Sequence, residues 1–181
     1  MVQGDLSTVS AVDPASVVLS VLHVHGRAET TQARRMAEAE RALGWQVVAS
    51  RVSPTRIRQL ASDVDVVVLH GARAGFVGRL VLRGSRATVL VPRPGRWCAS
   101  ATGTALWERW AARWASGVLL ADPAAAATGV RRGVWVPPFV VGDSTELSAA
   151  VLTRAHAFGG PSARLAEATG TEGSSSAPPG R

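Results

Sequence analysis

Short unbroken apolar runs alternate along this chain with stretches whose apolar residues recur every third or fourth position. The run Val17-Val18-Leu19-Ser20-Val21-Leu22-His23-Val24 reads as a buried strand. Ala33, Met36, Ala37 and Leu43 stand at helical spacing, so a helix is expected from Thr30 as its cap to Leu43, with Gly44 as its stop. Gln46 to Val52 is a second strand, and Ser53-Pro54 starts a helix that runs to about Ser62. A third strand ends at His70, a short helix covers Gly75 to Leu82, and Ala87 to Val91 is a fourth strand closed by Pro92 and Pro94. Thr102 to Ala115 is helical, Gly117 to Ala121 is a fifth strand, and Val134 to Val136 is a short sixth.

Short apolar strands alternating with amphipathic helices predict an α/β protein, a single Rossmann-like, doubly wound parallel sheet covered on both faces. Residues 1–14 read as a flexible leader, 15–142 as the domain and 143–158 as a further helix docked on it. Asp143-Ser144-Thr145-Glu146 has the pattern of a capping box, and Leu147, Val151, Ala155 and Phe158 form its stripe. Residues 159–181, rich in Gly, Ser, Ala and Pro, read as a disordered tail.

Composition narrows the picture. Hydrophobic residues at 46% exclude global disorder, and the lone Cys98 cannot form an internal disulfide. Nothing at the amino terminus has a signal-peptide pattern, and no apolar run is long enough to span a bilayer, so a cytoplasmic protein is expected. All 20 basic residues are Arg, with no Lys, Asn or Tyr, a bias that points partly to base composition. Distribution carries more than the total. Between Asp65 and Glu108 there is no acid but six Arg, at positions 73, 79, 83, 86, 93 and 96, and such a one-sign patch concentrates anionic ligands or faces solvent.

In a parallel α/β sheet, ligands bind beyond the carboxyl ends of the strands. His25-Gly26-Arg27, the segment His70 to Arg79 and Arg93 all follow expected strands and should share that rim. Gly71, Gly75 and Gly78 allow backbone to approach a ligand or let the next helix pack closely, while Arg73 and Arg79 suit a phosphate or carboxylate. A tight turn in which His70 only bonds neighbouring backbone stays open. Of His23 and His25 only one imidazole is expected at the rim itself. No metal site is expected, since neither Cys nor carboxylate stands at ligand spacing. The G-x-x-x-G-x-x-G spacing is not a dinucleotide fingerprint, and P-loop and G-x-S-x-G patterns are absent, so no cofactor and no named catalytic residue follow. Trp107, Trp110 and Trp114 read as core or helix-packing surface, with Arg109 and Arg113 beside them leaving contact with an anionic membrane as a minor alternative. Nucleic acid is not an expected partner, because basicity alone supports it.

Four segments, in order, resemble glycosyltransferase family 4, a GT-B group using nucleotide-sugars. Asp65 to Arg79 is similar to the family's third-strand segment and Thr88-Val89-Leu90-Val91-Pro92 to its next strand. Trp107 to Ala115 is similar to its "ER-aarr" helix, and Gly133 to Val140 to the "V-P-N-G-V" segment closing the amino-terminal domain. The likeness covers roughly residues 17–142. It implies half of a GT-B fold, the acceptor-binding side, of hexosyltransferase class. The nucleotide-sugar domain and its Glu pair are not expected within residues 143–181, so the chain should be inactive alone. Two departures matter: Arg93 stands where relatives commonly carry a His, and Asp122-Pro123 replaces a Ser-Glu pair. The implied acceptor is phosphorylated or lipid-linked, the implied partner a separate donor-domain protein, and the implied location the cytoplasm or the inner face of the membrane. On this reading His25, Gly26, Arg27, His70, Gly71, Arg73, Gly75, Gly78, Arg79 and Arg93 line the acceptor site. The alternative is a non-catalytic module derived from such an enzyme, recognising an anionic ligand or a protein.

Overall fold

The computed structural model describes residues 18–93, 102–121, 123–131, 138–140 and 145–159. The chain runs β1 (Ser20–His25), α1 (Thr30–Ala42), β2 (Gln46–Arg51), α2 (Pro54–Leu60), β3 (Val66–His70), α3 (Gly71–Leu82), β4 (Ala87–Val91) and α4 (Thr102–Ala111). It continues through β5 (Gly117–Leu120), α5 (Pro123–Arg131), β6 (Pro138–Val140) and α6 (Thr145–Gly159). Single 3-10 turns, Ala61–Asp63 and Ala112–Trp114, extend α2 and α4.

All six strands are parallel, in the order β2-β1-β3-β4-β5-β6. Their side chains feed two apolar layers, as strand alternation requires. Leu22, Val24, Val67, Leu69, Leu90, Val118 and Leu120 pack with α2, α3 and the turn after α4. Val21, Val66, Val68, Val89, Val91 and Leu119 pack with Trp45 and with Ala149, Val151, Leu152 and Ala155 of α6. The last helix is therefore part of the core, packed on a sheet face. Close contact of α3 with the sheet depends on Gly78, where a Cβ would fall 2.5 Å from Leu69 Cδ2.

Asp65 ties β1 to β3 at the opposite end of the sheet. Its carboxylate accepts from the Ser20 amide (2.8 Å) and hydroxyl (2.7 Å), while its own amide donates to the Ser20 carbonyl. Burial pushes the Asp65 carboxyl up, but these two hydrogen bonds, aided by the charges of His156 and Arg86, outweigh it and hold the group below the usual value.

The doubly wound parallel sheet matches the expectation, and three local features differ from it. The helix placed at Gly75 to Leu82 begins at Gly71, directly on the end of β3, because Gly71 takes a φ of +78° that lets the chain turn without a linker. Helix α5 was not foreseen, since Ala124 to Ala127 give no amphipathic stripe to read. The sixth strand lies at Pro138–Val140, whereas the expected Val134 to Val136 falls outside the described residues. So do the leader (1–14), Cys98 and residues 160–181 of the expected tail.

Candidate functional site

Strand order places the chain's change of direction between β1 and β3, whose crossovers run to opposite faces: β1 leads into α1 on one, β3 into α3 on the other. This is where doubly wound sheets open a crevice for ligands. His25 and His70 are register partners there, and His70 pairs in turn with Val91, two residues before Arg93. Each histidine is followed by a glycine that starts the crossover. The expected convergence of His25-Gly26, His70-Gly71 and Arg93 is thus present at one lip of the sheet.

Glu29 fills the gap between the two glycine turns. Its carboxylate accepts from Arg93 Nε at 2.6 Å, and its oxygens lie 2.6 Å from the points where a Cβ would stand at Gly26 and at Gly71. Thr30, expected as a helix cap, is instead the first residue of α1, and its hydroxyl donates to the Arg27 carbonyl (2.8 Å), closing the turn beneath Glu29. His25 donates from Nδ1 to the Gly26 carbonyl at 2.9 Å. Arg27, one residue after Gly26, and Arg73, two after Gly71, are exposed and make no ion pair among the described residues.

Beneath the rim runs a buried polar chain. Glu40 Oε2 accepts from His23 Nε2 at 2.7 Å, and His23 Nδ1 lies 2.8 Å from His70 Nε2. All three side chains are enclosed. His23 and His25 share the face covered by α1, His25 at the rim and His23 one pleat below. His70 Nδ1 and Glu40 Oε1 have no partner among the described residues. His70 is therefore less an exposed ligand-facing group than the top of an internal network. Burial, then the charges of His23 and His25, hold its pKa well below 6.5.

Three sequence-chosen residues sit away from the gap. Arg79, chosen as an anion ligand, is buried: its Nε donates to the Gly75 carbonyl (2.8 Å), and its outer nitrogens grip Glu108 at 2.8 and 2.7 Å. That bidentate pair bolts α3 to α4, so the guanidinium is not offered to a ligand. Gly75 and Gly78 face the sheet and serve helix packing.

Beside the bolt, Phe76, Trp107, Trp110 and Trp114 form one aromatic cluster, with ring centroids 4.3–6.4 Å apart. The expected packing surface is only half covered: Phe76 is 45% exposed, Trp110 46% and Leu106 59%. Arg113 lies over the faces of both Trp110 and Trp114, Arg73 and Arg109 are exposed on α3 and α4, and Arg83 is exposed just past the end of α3. Elsewhere, an open depression of about 300 Å³ lined by Arg58, Ser62, Ser85 and Arg86 lies at the far end of α2 and α3, away from the rim.

Sequence reasoning missed Glu29, Glu40 and Glu108. Glu40 was within reach, since it extends the buried stripe Ala33, Ala37 by three residues. No cluster of three or more metal-ligating side chains occurs among the described residues, and no helix among them is long and apolar enough to cross a membrane. Comparison with known proteins returns no matching family model, no matching curated protein and no matching solved structure. Fold and site together define the class: a Rossmann-like α/β domain with a polar, glycine-walled gap at its strand switch.

One pH dependence follows from the buried network. The unfolded chain protonates His70 near its ordinary 6.5, whereas the folded chain does so only far lower. Between those values unfolding takes up a proton, so this contribution to stability is complete above the ordinary value and declines as pH falls beneath it. Urea midpoints should drop between about pH 7.5 and about pH 5.5, and His70→Gln should flatten the slope. Equal slopes for both proteins would contradict this. Asp65 adds a separate loss at lower pH, below its ordinary 3.8, because its folded form is the one held ionised.

Proposed function

We propose that this domain binds the acceptor for a glycosyl transfer of the family 4 type, seating a phosphorylated or lipid-linked acceptor at the β1/β3 rim. One observation carries the reading. Three strand ends deliver Gly26, Gly71 and Arg93 to a single gap, and the exposed Arg27 and Arg73 follow those glycines by one and two residues. Glycine walls admit a ligand's oxygen atoms closely, and guanidinium groups match phosphate geometry. The resemblance over residues 65–79 and 107–115 supports the same assignment from the sequence side.

Retaining sugar transfer also needs groups that stabilise a departing nucleoside diphosphate. The described domain offers one wall of such a cleft, so the donor side comes from a further domain or a separate protein. The chain as given should transfer no sugar from nucleotide-sugars when assayed pure, and should gain activity with a donor-domain partner copurified from its host. Transfer by the pure chain would overturn this reading. Binding of a phosphorylated acceptor with no partner and no restored activity would favour the non-catalytic module.

A lipid-linked acceptor lies in a membrane, and the half-exposed aromatic and Arg cluster of α3 and α4 suits an anionic bilayer surface. Flotation with vesicles containing about 30% anionic lipid should carry the protein, and Trp110→Ala with Arg113→Ala should reduce bound protein by roughly tenfold. Equal flotation of wild type and variant would remove membrane contact from the account.

A further inference from the structure

The gap at the strand switch already holds an oxyanion, and it belongs to the chain itself. The Glu29 side chain is only 11% exposed, while its partner Arg93 is 50% exposed and open to solvent on one side. Both glycine turns are shaped around that carboxylate, since a Cβ at either would fall 2.6 Å from one of its oxygens. Yet Glu29 stands at the mouth of the crossover, immediately before the first residue of α1, and its side chain makes no cap hydrogen bond to that helix. Turning the Glu29 side chain away from Arg93 would therefore break no cap hydrogen bond of α1.

We propose that Glu29 is an exchangeable internal ligand: the phosphate group of a bound molecule takes its place against Arg93, between Gly26 and Gly71, while Glu29 swings to solvent. This rests on the reading of the rim as a ligand site and adds how that site is closed when empty. Charge favours phosphate over another carboxylate as the incoming group. Against Arg93 the resident carboxylate supplies one negative charge, and a phosphate monoester supplies close to two at neutral pH. With Glu29 in place an anion meets both a filled seat and a like charge, so the free chain binds phosphate weakly. The pair is partly exposed, and its breaking is accordingly modest in cost.

The test is titration of inorganic phosphate into wild type, Glu29→Gln and Arg93→Gln at constant ionic strength, followed by amide chemical shifts. Folding of each variant is read from the same spectra. Glu29→Gln should bind roughly tenfold more tightly than wild type, with the largest shifts at Gly26 and Gly71, and Arg93→Gln should lose the site. Equal affinities for wild type and Glu29→Gln, with shifts still centred on Gly26 and Gly71, would overturn the exchange while leaving the rim as the binding site. Absence of shifts at both glycines in every protein would overturn the exchange and the rim together. Parallel arms with glucose 6-phosphate and with phosphatidate vesicles identify the source of the phosphate, by whichever shows the Glu29→Gln gain.

Discussion

Glu108→Ala should destabilise the fold by about 3 kcal/mol, because it leaves a buried guanidinium without its counter-charge. Arg79 is 1% exposed and holds Glu108 through two hydrogen bonds near the optimum length. Once Glu108 is removed, the Gly75 carbonyl is the hydrogen-bond acceptor left to Arg79 among the described residues, with the Trp107 ring 5.8 Å from its guanidinium carbon. The expected cost lies in that orphaned charge rather than in the pair's net worth. Replacing both partners, as Arg79→Met with Glu108→Leu, should therefore recover most of the loss. Urea unfolding of the three variants decides it. A Glu108→Ala loss under about 1 kcal/mol would mean that water reaches Arg79 and the bolt between α3 and α4 is not closed.

His23→Ala should cost about 4 kcal/mol, the larger of the two effects, since it strips partners from both neighbours at once. Among the described residues, Glu40 would keep a buried carboxylate with no donor, and His70 would lose the bond at Nε2 while Nδ1 is already without one. Glu40→Gln is the control. Its amide oxygen still accepts from His23 Nε2, so a loss of only about 1 kcal/mol is expected. If the two variants unfold at the same urea concentration, the network is not the rigid unit described here. Because His23 and His70 underlie β1 and β3 at the rim, its loss should also broaden the amide signals of Gly26 and Gly71.

Much of the architecture was legible because buried parallel strands are nearly continuous apolar runs. Val66 to Leu69 could hardly be anything else, and Ser53-Pro54 marked the start of α2 with two independent signals. The rim could be drawn in advance for the same reason: once strand ends are placed, the residues that follow them are placed too. What the sequence hid was pairing. Arg79 looked like a free cation because Glu108 lies 29 positions away, and nothing local announces a bond between two helices. Glu29 was hidden similarly, as its partner Arg93 is 64 positions distant. A cation count along the chain overstates the site's positive charge when it ignores acids that topology returns to the same place. Helix α5 escaped for a different reason: a run of alanines is helical by propensity but shows no face.

Amide chemical-shift mapping with a short-chain isoprenyl phosphate tests most directly the proposed binding of a phosphorylated ligand at the β1/β3 switch. The largest shifts are expected at residues 25–29, 70–73 and 93, around the gap now held by Glu29. Shifts centred instead on Arg58, Ser62, Ser85 and Arg86, or spread evenly over the exposed arginines, would contradict it.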